Sequence, residues 1–80
     1  PAPIEGYRQQ GLDLMGAFEI SREVAARGGT AFVSLPRGRV AVHVPPRTRS
    51  GDQFTLRGEG VPEWGGSKVG DVNLSVVVKN

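Results

Sequence analysis

The chain has 80 residues, a formal charge of +2 and no cysteine, which excludes disulfides, thiol chemistry and cysteine-ligated zinc. Its size suits a single domain with a thin core, one that buries about 60–65% of its unfolded surface. No apolar run approaches a membrane span and no signal peptide is visible, so the expectation is a cytoplasmic chain that makes no membrane contact.

Residues 1–11, PAPIEGYRQQG, read as an N-terminal linker or edge segment, and residues 12–80 as one β-rich domain. Leu12, Leu14, Gly16, Phe18 and Ile20 alternate with Asp13, Met15, Ala17 and Glu19, the period of a half-buried strand. Ser21 is placed to cap a short helix over Arg22–Arg27, with Val24 and Ala25 facing inward. Glu23 falls one residue short of the capping-box position. Gly28-Gly29 ends the helix. Thr30–Leu35 and Arg39–Val44 form a predicted hairpin through Pro36-Arg37-Gly38, with Ala31, Val33 and Leu35 on one face and Val40, Val42 and Val44 on the matching one.

Pro45 and Pro46 supply no amide donors, so the ladder containing Val44 should stop there in a stiff elbow. Ser50-Gly51-Asp52 reverses the chain. Gln53–Arg57 resumes a period of two, with Phe54 and Leu56 on one side. A glycine-containing loop over 58–70 holds Pro62 and Trp64. Asp71–Lys79 closes the chain as a strand with Val72, Leu74, Val76 and Val78 on one face and Val77 on the other. The expected fold is mainly β: a small two-layer sandwich of about five strands with one short helix. Phe18, Phe32, Phe54 and Trp64, with Tyr7, supply nearly all of its large aromatic volume.

Charge is distributed unevenly. Residues 1–23 carry four acids against two arginines, whereas residues 24–57 carry six arginines against Asp52 alone. Arg37, Arg39, Arg47 and Arg49 are candidate contacts for an anionic partner, nucleic acid included. The plainer reading makes them solvated turn residues. No aromatics interleave with them as on a single-strand-binding surface. Nothing in the chain favours catalysis. His43, the only histidine, lies between valines on the outward register of a strand, with no second ligand for a metal and no serine placed for a triad. Glu59 and Glu63 sit in the glycine loop with no sign of a paired acid–base role. Neither Arg57-Gly58-Glu59-Gly60 nor Gly65-Gly66-Ser67-Lys68 has the spacing of a phosphate loop. The expectation is no enzyme, no metal and no cofactor.

Three ordered segments carry a family resemblance. Asp13-Leu14 with Phe18-Glu19-Ile20-Ser21-Arg22-Glu23-Val24-Ala25-Ala26-Arg27-Gly28-Gly29 is the first. Val42-His43-Val44-Pro45-Pro46 with Ser50-Gly51-Asp52-Gln53-Phe54-Thr55-Leu56-Arg57-Gly58-Glu59-Gly60 is the second. Gly65-Gly66 with Gly70-Asp71-Val72-Asn73-Leu74 is the third. Together, over residues 12–79, the set resembles a C-terminal substrate-binding β-domain of the DnaJ (Hsp40) co-chaperones. These 80 residues contain no J-domain with its His-Pro-Asp tripeptide, no glycine/phenylalanine-rich linker and no zinc module. That pattern resembles a member without zinc, or the second of two tandem β-domains. Arg47 stands where the family usually has a glycine after the elbow proline, and Met15-Gly16-Ala17 is lighter than the usual strand.

The resemblance implies a non-catalytic module that binds non-native or extended polypeptide, with Hsp70 engaged only through other parts of a parent protein. A client would add its backbone to a strand edge and place side chains in an apolar notch. Carried over by position, the notch residues are Gly16, Phe18, Val33 and Leu35. Alternatively, Phe18, Val33 and Leu35 are simply core, and Gly16 leaves a space that a small core would ordinarily fill. Two other functions compete. One is a DNA-associated basic β-domain, whose weak nonspecific binding would use the four arginines on one face. The other is a structural or dimerisation domain with its edge permanently paired, a second copy being the partner.

Overall fold

The computed structural model describes residues 6–35 and 38–80. Alternating side chains build six strands around one helix: β1 (Tyr7–Gln10), β2 (Asp13–Ser21), α1 (Arg22–Arg27), β3 (Gly29–Leu35), β4 (Gly38–Val44), β5 (Gln53–Leu56) and β6 (Val72–Lys79). A four-stranded sheet runs in the order β1-β2-β6-β5, and β3 and β4 form a separate pair. β2 and β6 are parallel, whereas the other pairings are antiparallel. A parallel pair needs a crossover, and here everything from α1 to the loop after β5 supplies it.

Register puts the apolar faces opposite one another. Leu14 pairs with Val72, Gly16 with Leu74 and Phe18 with Val76. Leu14, Phe18, Ile20, Val72, Leu74 and Val76 share one buried cluster with Ala25 of α1 and with Val33, Leu35, Val42 and Val44 of the smaller sheet. The two sheets therefore form a sandwich, as expected. Each fully buried Leu or Val contributes roughly 1.5–3 kcal/mol. The Phe54 ring meets Phe18 edge-on, with centroids 6.0 Å apart and planes at 83°.

The aromatic inventory divides differently from its total. Phe18 is buried, but Phe32 is 59% exposed and Trp64 is 99% exposed. Phe32 lies on the outward register of β3. Trp64 stands in a loop held to itself by the Pro62–Val69 bridge and the Glu63 N–H to Lys68 carbonyl bond of 2.7 Å. Tyr7–Gln10, within the segment read as linker or edge, forms the edge strand β1, joined to β2 by a turn at Gly11-Leu12. Arg8, Gln9 and Gln10 are exposed there.

The helix begins as the sequence predicts. The Val24 N–H donates to Ser21 Oγ at 3.1 Å, and Ala25 is its buried residue. Its end explains the elbow. The N–H groups of Arg47 and Thr48 donate to the carbonyls of Ala26 and Ala25 at 3.1 and 2.8 Å, so they satisfy acceptors that a helix terminus leaves open. Gly28 sits beneath this crossing at φ 82°, and a Cβ there would lie 2.9 Å from both the Val44 oxygen and the Pro46 nitrogen. Only glycine fits. Thr48 is the one buried polar residue among those described, and its hydroxyl donates to the Pro45 carbonyl at 2.7 Å.

The elbow continues onto β6. The Gly51 N–H donates to the Val76 carbonyl, and the Val76 N–H donates to the Asp52 carbonyl. At the far end of the sheet, the Asp71 N–H donates to Asp13 Oδ1 at 2.8 Å, and the Gly58 N–H donates to Asp71 Oδ1 at 3.0 Å. Two aspartates in the quoted segments thus latch loop to sheet. A Cβ at Gly70 would run into the Leu12 carbonyl, which accounts for the glycine before Asp71.

Candidate functional site

Four residues were expected to line a notch, and the fold turns all four inward. Gly16 and Phe18 share the buried register of β2, and Val33 and Leu35 share that of β3. Phe18, Val33 and Leu35 belong to the common core cluster, only 4%, 6% and 8% exposed. Gly16 is different. A Cβ at that position would sit 2.7 and 2.8 Å from Cδ1 and Cε1 of Tyr7. The space beside Gly16 is therefore filled, and the filler comes from β1.

Tyr7 does more than fill it. Its hydroxyl donates to the Ser34 carbonyl of β3 at 2.9 Å. The edge strand of the larger sheet is thereby tied across the sandwich to a strand of the smaller one. Burial pushes the Tyr7 phenol above its ordinary value, because the charged form loses hydration. Seen from outside, this side of the sandwich is a seam roofed by Tyr7, with Gly16 directly beneath. Sequence reasoning singled out Gly16 but missed its lid. The signal was Gly11, a turn residue at hairpin spacing between Tyr7 and Gly16.

Strand edges are distributed around this seam. β2 is paired on both sides, by β1 and β6. Among the described strands, β1 and β5 bound the larger sheet, and β3 and β4 each have one strand neighbour. These are the edges where another backbone can pair. On the outer face of the larger sheet lies a shallow open depression of about 500 Å³ floored by Ala17 and Ser75 and rimmed by Arg8, Met15 and Gln53.

The three candidate arginines among the described residues do not form one patch. Arg37 lies outside the described residues. Arg39, near the hairpin turn, stacks over the Phe32 ring at 4.7 Å from its centroid. Arg47 and Arg49 lie beyond the opposite end of β4, which rises roughly 16 Å between Arg39 and Val44 at about 3.3 Å per residue. There they are joined by Arg22, which the sequence reading assigned to the acidic third of the chain. His43 is exposed on β4, and no group of three or more metal-ligating side chains occurs among the described residues.

Comparisons with known proteins agree with this fold. The family model described as the DnaJ C terminal domain matches residues 2–80. Chaperone protein DnaJ of Rhizobium etli is 37% identical over 78 residues, a match that covers 96% of this chain and 21% of the relative. Those of Chelativorans sp. and Rhizobium meliloti are 40% and 37% identical over the same shares. The chain thus spans about a fifth (21%) of the length of the curated relatives it matches. With its ordered motifs, sandwich topology and a match over nearly its whole length, the chain belongs to the DnaJ C-terminal domain family, a non-catalytic one.

Proposed function

We propose that this domain holds extended, non-native polypeptide as the client-binding part of a DnaJ-like co-chaperone in the cytoplasm. The observation that carries the reading is the seam. A buried apolar cluster formed by Phe18, Val33 and Leu35 lies behind Gly16 and Tyr7. A side-chain hydrogen bond, Tyr7 to Ser34, spans it. Beside it run strands with only one neighbour each. A client backbone pairs with such an edge, and one apolar side chain enters under the Tyr7 ring when that ring swings aside. Ordering a flexible client offsets much of the apolar gain, so affinity is on the order of micromolar or weaker. Engagement of Hsp70 belongs to other segments of a parent protein.

Amide chemical-shift perturbation with a series of neutral, unstructured Leu- or Phe-containing peptides tests this. Shifts are expected at Tyr7, Gly16, Ser34 and Leu35, persisting at about 0.3 M salt because the contact is apolar. Gly16→Leu should weaken binding by occupying the place that the Tyr7 ring would vacate for a client side chain. Shifts confined to the arginine-bearing elbow, or a stable homodimer by light scattering that protects the same edges, would overturn the assignment.

A further inference from the structure

The pocket between α1 and the elbow belongs to no part of the proposed client seam. It has a volume of about 330 Å³, a floor of Ala25, Ala26 and Val78, and a rim of Arg22, Arg47 and Arg49. Along β2, Gly16 and Arg22 are separated by roughly 20 Å at about 3.3 Å per residue. We propose that this pocket docks an acidic polypeptide segment, its carboxylates on the three guanidinium groups and an adjoining aliphatic side chain on the apolar floor.

Four observations carry the assignment. First, none of the three rim guanidinium groups is in an ion pair among the described residues. Among the described residues the only ion pair is Glu23–Arg27, at 3.6 Å, and the nearby Asp52 carboxylate accepts the Arg49 backbone N–H at 2.9 Å. Lys79, opposite Ser21 in the β2–β6 register, adds charge of the same sign at this end of the sheet. Second, Arg47 has φ 65° and is the one described non-glycine residue with left-handed backbone. That conformation costs an L-residue on the order of 1–2 kcal/mol, and a glycine would relieve it. The chain places an arginine there instead.

Third, the platform is rigid. Arg47 and Thr48 are bonded through their N–H groups to the helix carbonyls, so the backbone that carries Arg47 and leads to Arg49 is fixed against α1. Arginine forks match carboxylates in geometry as well as charge. Fourth, the site is a shallow, open depression with a short apolar floor. A nucleic-acid backbone requires a row of cations along its path, whereas Arg39 is at the other end of β4 and stacked on Phe32. Charge and shape together favour an acidic peptide.

Amide NMR titration of the 80-residue chain with a blocked hexapeptide of alternating glutamate and leucine is the test. The comparators are its glutamine counterpart and a short DNA duplex. The acidic peptide should shift Arg22, Ala26, Arg47, Arg49 and Val78. The glutamine peptide should bind at least tenfold more weakly, and raising salt from about 0.05 to about 0.3 M should weaken the acidic peptide several-fold. Arg47→Gly combined with Arg49→Gln should lower its affinity at least tenfold without lowering the melting temperature, because glycine accepts the backbone at that position. The neutral Leu- or Phe-containing peptides should leave these amides unmoved, so failure here and failure of the client seam are separate results. Equal binding of the glutamate and glutamine peptides, absence of binding, or displacement of the acidic peptide by the duplex from these same residues would each overturn the proposal.

Discussion

The two strand pairs at the heart of the sandwich are nearly equal in length but opposite in surroundings. β2 and β6 pair over eight positions, are flanked on both sides and carry six of the eleven residues of the core cluster. β3 and β4 pair over seven positions, have no third strand among those described and present Phe32 to solvent. The first pair has spent its edges on neighbours, and the second has kept them. Stability therefore concentrates in one half of the sandwich, and capacity to receive another backbone in the other.

Substitutions can break that division. Leu74→Ala, in the closed pair, should cost about 3–5 kcal/mol in urea unfolding, and Leu35→Ala, beside the seam, about 2–3. Equal costs would mean that the two halves share the load. Gly16→Ala should cost about 1–3 kcal/mol, because the new methyl group displaces the Tyr7 ring. Adding Tyr7→Ala should recover part of that loss, and strict additivity of the two changes would show that ring and glycine are not coupled.

Tyr7→Phe removes the bond to Ser34 and should cost about 1 kcal/mol near neutral pH. Its pH dependence sharpens the point. Burial raises the folded-state phenol above its unfolded value, so the folded protein holds that proton more tightly. The corresponding stability is complete below about pH 10, the unfolded value, and is lost as pH rises from there through the folded value. Urea midpoints of the parent should fall more steeply than those of Tyr7→Phe in that alkaline window, and parallel curves would place Tyr7 in water. The smallest effect belongs to Trp64→Ser, expected within about 0.5 kcal/mol of the parent. A larger loss would mean that the Trp64 ring packs against the rest of the fold.

Much of this architecture was legible from spacing. Period-two alternation located the buried faces of β2, β3, β4 and β6, because each strand has one face on a single core. Ser21 and Gly28 marked the helix ends through capping chemistry. β1 escaped because Arg8, Gln9 and Gln10 point into water and leave Tyr7 as the lone apolar residue, so no period could show. The empty space inferred at Gly16 had the same cause, since its occupant lies on that unrecognised strand. Arg22 was hidden from the basic cluster by position in sequence. Only the elbow's return across α1 brings it beside Arg47 and Arg49. Trp64 was counted in the aromatic volume by residue type, but its place at the tip of the loop leaves its side chain in water.

The parallel pairing of β2 with β6 has a consequence for synthesis. The bond from the Asp71 N–H to Asp13 joins residues 58 apart, and the strand that completes the central pair is the final one, Val72–Lys79. Contacts so distant along the chain form late, and a ribosome adds about 5–20 residues per second. For several seconds the nascent segment carries Leu14, Phe18 and Ile20 without the strand that pairs with β2 and completes their core. A domain proposed to shelter unfinished chains is itself such a chain until the eight residues of Val72–Lys79 emerge.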